Sequence, residues 1–208
     1  MPKPEKKRAL VGFEAINRYW DKTNSSMAAK ILPGEYYVTS TDEIITTVLG
    51  SCISACIWDQ GRGIGGMNHF MLPSNESGGW GGSDLVSTAT RYGNHAMEQM
   101  INSILKHGGR RGRLSVKIFG GGKIISSMSD VGKKNIKFVE DYINNEELTL
   151  LAEDVGGGQA RKVIFYPKTG RARVKRLKNL HNNTVLQRDR NYQDTIVDEP
   201  FEGTVELF

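Results

Sequence analysis

The sequence predicts an α+β fold in which a layered mixed β-sheet, or sandwich, is flanked by helices. Two observations favour this class. Short runs rich in β-branched residues recur along the chain between glycine-containing turns, and apolar residues recur at helical spacing in two longer segments. Strands and helices do not alternate strictly, so the pattern does not indicate a doubly wound parallel sheet.

The N-terminal segment 1–30 is predicted to be an appendage that contains a short helix. Its apolar residues form a roughly helical stripe: Leu10, Val11, Phe13, Ile16, Tyr19 and Trp20. Residues 31–190 are then predicted to form the main domain. Residues 191–208 contain five acidic residues and no Lys or Arg, and they are predicted to be an acidic C-terminal tail.

Strands dominate the first part of the main domain. A Pro-Gly turn at 33–34 precedes an extended segment that continues to Gly50, and further strands are predicted at 51–59 and 64–72. The short turn between these last two strands makes them neighbours. Cys52 and His69 are therefore predicted to lie on adjacent strands.

The remaining elements follow from the same periodicities. They are a helix over 88–107, a strand at 114–122, a helix over 131–146, a strand at 148–158, and a hairpin over 161–177 that turns at 167–170. The glycine-rich segment 74–84 around Trp80 is predicted to be a mobile flap. Gly120–Gly122 are expected to let the backbone pass close to another segment.

Composition narrows the possible location and chemistry. The chain of 208 residues has no apolar run long enough to span a membrane and no apolar stretch typical of a secretory signal, so a cytoplasmic location without membrane insertion is predicted. Cys52 and Cys56 are four apart on one strand, a spacing that disfavours a disulfide. The four histidines lack metal-ligand spacing, so no metal site is predicted.

The net charge of +5 is unevenly distributed. The segment 161–190 contains ten Lys or Arg and one acid, Asp189. A solvated strand face is the favoured interpretation, and a dock for an acidic protein is the second. Nucleic-acid binding comes last, because no stacking-aromatic motif accompanies the basic residues.

Cys52 and His69 are the candidate catalytic residues. Each alone is typical of a core or surface position, but the pair is more informative, because an imidazole activates a thiol and then protonates a leaving amine. Gly50 and Ser51 indicate a tight turn whose N–H groups point at one spot, as an oxyanion requires. A third group usually orients the imidazole, and four side chains are nearby in sequence: Thr46, Thr47, Ser51 and Asn68. The pattern predicts thiol-dependent acyl transfer.

Five motifs in this order resemble the chemoreceptor glutamine deamidase family, CheD: LGSC, GGMNHFMLP, RYGNHAME, FGGGK followed by DVGKKN, and PKTGRARVKRL. The resemblance extends from about Leu32 to Leu180 and includes a terminal GTVELF. It implies a fold like the catalytic domain of cytotoxic necrotizing toxins, with residues 31–190 as the catalytic domain.

The resemblance also implies an activity. Members of the family are amidohydrolases that convert specific glutamines of methyl-accepting chemotaxis receptors to glutamate, through a cysteine thiolate and a thioester, and release ammonia. This creates methylatable sites for adaptation. By the match of motifs, Cys52 is the nucleophile, His69 the general base and Thr46 the third active-site residue, and no metal or cofactor is needed. The backbone N–H groups of Ser51 and Cys52 are the expected oxyanion donors.

The receptor's cytoplasmic domain is the implied partner, and in some members a CheC-type phosphatase is a second one. Two other classes remain open from the sequence. A thiol protease or transglutaminase-like enzyme would use the same pair of residues, and a chemotaxis binding module would keep the fold without catalysis. The presence of both Cys52 and His69 argues against the module.

Overall fold

The computed structural model describes residues 8–73, 83–124, 131–177 and 182–198. Residues 74–82 of the predicted flap around Trp80 lie outside these ranges, whereas residues 83 and 84 belong to the first helix. Residues 199–208 of the acidic tail, which include the terminal GTVELF, also lie outside. The strands are, in chain order, β1 (Asn17–Asp21), β2 (Ser26–Lys30), β3 (Tyr36–Thr39), β4 (Glu43–Leu49), β5 (Ile53–Asp59), β6 (Ile64–Asn68), β7 (Leu114–Gly120), β8 (Thr149–Val155), β9 (Arg161–Tyr166) and β10 (Arg171–Arg176). The helices are α1 (Ser83–Lys106), α2 (Val131–Asn145) and α3 (Asn182–Asp198).

The strands form two mixed five-stranded sheets, and the α+β prediction is confirmed. The first sheet has the order β1-β2-β4-β9-β10, and the second has the order β3-β6-β5-β7-β8. Most pairs are antiparallel, whereas β2 with β4 and β7 with β8 are parallel. The predicted adjacency of the strands around Cys52 and His69 is also confirmed, because β5 and β6 pair directly.

The second sheet is covered on both faces. Helix α1 packs against β3 and β6, while α2 packs against β5, β7 and β8. The first sheet lies on the other side, where Trp58 of β5 contacts Phe165 of β9 with ring centroids 5.8 Å apart. Every residue of β5 is buried, as expected for a central strand with layers on both faces. The site residues near this strand are therefore held by a packed core.

The helix predicted in the N-terminal segment is wrong for the described residues. Gly12 has a φ of 93°, which no right-handed helix contains, and the chain beyond it forms β1 and β2. Strand β2 joins β4 in the first sheet. The segment is thus part of the sheet. Its apolar spacing suited a helix, but pairing with a strand distant in sequence decided its conformation.

An ion pair fastens this segment to the domain. Arg18 Nε lies 3.0 Å from a carboxylate oxygen of Glu43, and both side chains are almost fully buried. Glu43 also accepts hydrogen bonds from the hydroxyls of Tyr37, Thr39 and Thr41. Burial acts to raise the pKa of Glu43, but these hydrogen bonds and the Arg18 charge outweigh it and hold the pKa below its usual value.

The C-terminal region differs from the prediction as well. Helix α3 runs from Asn182 to Asp198, so the boundary expected between the domain and an acidic tail at residue 191 falls inside a helix. No helix was predicted there. Residues 182–198 are strongly polar, and the apolar periodicity that identified α1 and α2 is weak in this segment.

The basic hairpin forms β9 and β10, as predicted. Strand β10 is the edge of the first sheet, and its basic side chains are exposed: Arg171, Arg173, Lys175 and Arg176. Charged residues on an edge strand discourage pairing with other chains, and this exposure matches the solvated face favoured from the sequence. Among the described helices, none combines the length and the apolar character needed to cross a membrane.

Candidate active site

The turn that contains Cys52 links β4 to β5, and hydrogen bonds to its backbone carbonyls hold it in place. Each of three successive carbonyls accepts one hydrogen bond from a segment distant in sequence: Gly50 O from Gly122 N at 2.7 Å, Ser51 O from Asn135 Nδ2 at 2.8 Å, and Cys52 O from Gly121 N at 2.7 Å. Asn135 also accepts a bond from the Leu72 backbone N–H at 2.9 Å. The turn is therefore held in one conformation from two sides.

The glycines after β7 are required by this close approach. Gly120 has a φ of 112°, and a Cβ at this position would overlap the carbonyl oxygen of Cys52. Gly132 at the start of α2 is similarly close to the Gly121 carbonyl, with 2.5 Å between that oxygen and the position of a Cβ. The expectation that Gly120–Gly122 allow a close backbone approach is confirmed, and the approaching segment is the Cys52 turn.

His69 immediately follows β6, and its ring is oriented by Thr47. The Thr47 hydroxyl lies 2.8 Å from His69 Nδ1 and 2.9 Å from the Ile31 carbonyl oxygen. A carbonyl only accepts, so the single hydroxyl proton is donated to Ile31, and the hydroxyl must accept a bond from Nδ1–H. This arrangement specifies the tautomer. Nε2 carries no proton and presents a lone pair.

The Thr46 hydroxyl is bonded elsewhere, which argues against Thr46 as the group that orients the imidazole. Its hydroxyl donates to the Val163 carbonyl at 2.9 Å, on the strand paired with β4. Successive side chains of a strand point to opposite faces, so Thr46 and Thr47 cannot both face His69. Of the four candidates nearby in sequence, Thr47 is the one hydrogen-bonded to the ring. Both threonines are buried, and alternation alone does not reveal which of the two faces His69.

A backbone bridge places Cys52 and His69 on the same face of adjacent chain segments. Ile53 and Phe70 exchange two hydrogen bonds of 2.9 and 3.0 Å. Cys52 precedes Ile53 and His69 precedes Phe70 in antiparallel chains, so the two are diagonal neighbours on one face. Within the described residues, the buried Nε2 of His69 has no hydrogen-bond partner. Its lone pair is available for a proton.

Both groups are uncharged in this conformation. Burial raises the pKa of the Cys52 thiol well above its ordinary value, and the nearby Asp189 carboxylate raises it further, against a smaller opposite effect of Arg188. Burial lowers the pKa of His69 well below its usual value, and the Arg188 charge lowers it further. The structure thus holds a protonated thiol and a neutral imidazole on the same face.

One of the two expected oxyanion donors already binds an anionic group. The Ser51 backbone N–H donates to Asp189 Oδ2 at 2.9 Å, and the Ser51 hydroxyl donates to the same oxygen at the same distance. This N–H can therefore hold a negatively charged oxygen beside the thiol. The corresponding role of the Cys52 N–H remains a prediction.

Asn68 and a cavity complete the surroundings of His69. Asn68 accepts from the Ala55 N–H at 2.7 Å and donates to the Ala96 carbonyl at 3.1 Å, which fastens α1 to the sheet rather than orienting the imidazole. A cavity of about 180 Å³ is lined by His69 together with Tyr92 and His95. A volume of this size has room for several water molecules.

Comparison with known proteins identifies the family of this chain. The family model described as CheD chemotactic sensory transduction matches residues 71–176. A protein of Halorhodospira halophila named probable chemoreceptor glutamine deamidase CheD is 53% identical over 201 residues, covering 96% of this chain and 93% of the relative. A protein of the same name from Hahella chejuensis is 50% identical over 200 residues, covering 96% and 94%. The chain belongs to the CheD family.

Proposed function

We propose that this protein is a glutamine deamidase that hydrolyses the side-chain amide of specific glutamines on the cytoplasmic part of chemotaxis receptors. The names of its relatives indicate the reaction and the substrate. The observation that carries the proposal is the chain of hydrogen bonds from His69 through Thr47 to Ile31. It leaves an unprotonated Nε2 on the face that carries the Cys52 thiol, as nucleophilic catalysis by cysteine requires.

The first half of the reaction forms a thioester. His69 Nε2 takes the thiol proton, and Cys52 Sγ attacks the amide carbon of the glutamine side chain. Negative charge develops on the amide oxygen, where the Ser51 N–H stabilises it, with the Cys52 N–H as the second donor. When the tetrahedral intermediate collapses, the C–N bond breaks, and the proton held by His69 goes to the departing ammonia.

The second half releases glutamate. A water molecule attacks the thioester carbon while His69 Nε2 accepts its proton, and the C–S bond breaks as the second intermediate collapses. The proton returns from His69 to the Cys52 sulfur. The sum is one amide and one water converted to one carboxylic acid and ammonia, so the residues described account for every proton transferred. Thr47 holds the imidazole in the same tautomer through both halves.

The experiment is mass spectrometry of a chemoreceptor cytoplasmic fragment after incubation with the protein. We expect the mass gain of amide-to-acid conversion at discrete glutamines, and its loss with Cys52→Ala and with His69→Ala. Cys56→Ala is the matched control, because Cys56 is equally buried but lies within β5, where it pairs with Met67 and Lys117. It should retain the activity.

Two results would contradict the proposal. Conversion that persists in the Cys52→Ala protein would rule out the thiol as nucleophile. Absence of conversion by the intact protein, on receptor fragments that it demonstrably binds, would favour a non-catalytic binding module instead. The position of the modified glutamines is read from the same spectra.

A further inference from the structure

Helix α3 covers the candidate active site with one of its faces. The α3 residues that contact the turn and its surroundings are spaced at i, i+3, i+4 and i+7: Val185, Arg188, Asp189 and Tyr192. Residues at this spacing lie on one side of a helix. The contact is therefore the packing of a helical face over the site.

Asp189 lies at the centre of this contact. Its side chain is completely buried, and one carboxylate oxygen accepts both the backbone N–H and the hydroxyl of Ser51 at 2.9 Å. In the proposed mechanism, the same N–H binds the oxygen of the substrate amide. A carboxylate borne on a helix thus occupies the position that the reacting group of a substrate needs.

Further contacts hold α3 on either side of Asp189. Next to Asp189, Arg188 donates a hydrogen bond to the Val48 carbonyl at 2.6 Å. Towards the C-terminal end, the Tyr192 ring lies against Gly34, where a Cβ would be 3.1 Å from Cε2, and its hydroxyl is hydrogen-bonded to that of Tyr92.

Towards the N-terminal end of the contact, Val185 lies over Gly50. A Cβ at Gly50 would be 3.0 Å from Val185 Cγ1 and 2.6 Å from Asp189 Oδ2. The absence of side chains at Gly34 and Gly50 is what leaves room for a helix to lie across the turn.

The covered site is inaccessible to a macromolecular substrate. Cys52 and His69 each have 0% of their surface exposed. A reacting carbon must come within roughly 3–3.5 Å of the sulfur. Because Asp189 of α3 holds the Ser51 N–H, the oxygen of a substrate amide can bind there only after α3 has moved. The Asp189 side chain is not itself consumed, because a carboxylate is the product form of this reaction and carries no amine to expel.

We propose that α3 is an autoinhibitory helix and that the groove beneath it is the docking surface for substrate. The groove accepts an α-helix that presents a glutamine side chain where α3 presents Asp189. The identification of the substrate as a glutamine-bearing helix rests on the proposed deamidase function. The occlusion of Cys52 by α3 is independent of that function. Substrate binding and α3 binding are then mutually exclusive.

The test compares thiol alkylation in full-length variants that differ at Gln187. This residue is exposed on α3, outside the contacting face, and its side chain bonds only to Asn191 of the same helix among the contacts described. Gln187→Pro disrupts the helix interior, whereas Gln187→Ala preserves it and serves as the control. Iodoacetamide is added to each protein, and alkylation of Cys52 and Cys56 is followed by peptide mass spectrometry.

We expect Cys52 to be alkylated up to about a hundredfold faster in Gln187→Pro than in Gln187→Ala. This ratio is the increase in the population of unfolded α3 that follows from the lower helix propensity of proline. Cys56 reports on the rest of the fold and should stay unreactive in both proteins. If Cys56 also becomes reactive in Gln187→Pro, the comparison uses Tyr192→Ala instead. This substitution removes the ring that lies over Gly34 without introducing a proline. Equal Cys52 rates in these proteins and the control, with Cys56 protected, would overturn the proposal.

Deamidation of a receptor fragment by the same proteins distinguishes autoinhibition by α3 from the proposed deamidase activity. Faster alkylation together with faster deamidation in Gln187→Pro supports both. Faster alkylation without deamidation by any variant supports occlusion by α3 and contradicts the deamidase. Deamidation at equal rates, with equal alkylation, supports the deamidase and overturns the role of α3.

Discussion

Thr47→Val is the substitution that most directly tests how the candidate site works. Valine keeps the shape of threonine and removes the hydroxyl that accepts from His69 Nδ1–H. An unpaired buried N–H costs about 1–3 kcal/mol. Without this acceptor the ring loses the interaction that fixes its orientation and tautomer, so it can turn or carry its proton on Nε2. Neither form presents the lone pair that must accept the Cys52 proton. Either outcome reduces the fraction of protein that is ready to react.

The size of the effect follows from that free energy. At about 1.4 kcal/mol for each factor of ten, the deamidation rate should fall roughly 5- to 150-fold. The loss should appear in kcat rather than KM, because Thr47 acts through His69 and is not expected to touch the substrate. Thr47→Ser keeps a hydroxyl and should recover most of the rate.

Thr46→Val is the matched control, one residue away on the opposite face of β4. It removes the hydrogen bond to the Val163 carbonyl and should lower the thermal stability slightly while leaving kcat near that of the unaltered protein. The assays are ammonia release from a receptor fragment and ¹⁵N NMR of the imidazole nitrogens, which distinguishes the tautomers. A larger loss of kcat in Thr46→Val than in Thr47→Val, or a proton on Nε2 in the unaltered protein, would refute the reasoning.

Three further predictions concern the scaffold. Gly120→Ala should prevent a stable fold, because its Cβ meets the Cys52 carbonyl at a positive φ, whereas Gly112→Ala, which has open space around it, should express and melt normally. Asn135→Leu keeps a similar volume but removes the donor to the Ser51 carbonyl. The free energy of unfolding, measured by chemical denaturation, should therefore fall by about 1–3 kcal/mol. An unchanged free energy would mean that a water molecule replaces this hydrogen bond. The lowered pKa of Glu43 stabilises the folded state above the ordinary value of 4.5, so the melting temperature should decrease as the pH falls from there through the folded-state pKa. Glu43→Gln should show a weaker dependence over this range, and an identical slope in both proteins would exclude this carboxyl as the cause.

Local patterns in the sequence predicted most elements of the fold. The β-branched run before Gly50 and the alternating segment after it became β4 and β5, and the periodic segments around Met100 and Val139 became α1 and α2. These predictions succeeded because strand and helix periodicities of side-chain burial are visible within about ten residues. Two regions are exceptions: the N-terminal segment, which forms strands where a helix is predicted, and α3, for which no helix is predicted. Each is defined by contacts with residues far away along the chain, and the apolar periodicity of each was misleading or weak.

The sequence by itself determined which chemical groups are available: one cysteine after a glycine-containing turn, one histidine on the neighbouring strand, and several hydroxyls close by. Only the tertiary structure decided how they are used. It placed Thr47 rather than Thr46 on the imidazole, positioned Asn135 against the carbonyl of Ser51, and brought Asp189 to its N–H. The physical reason is that hydrogen bonds and burial depend on distance in space, and these partners are between 22 and 138 residues apart in the chain.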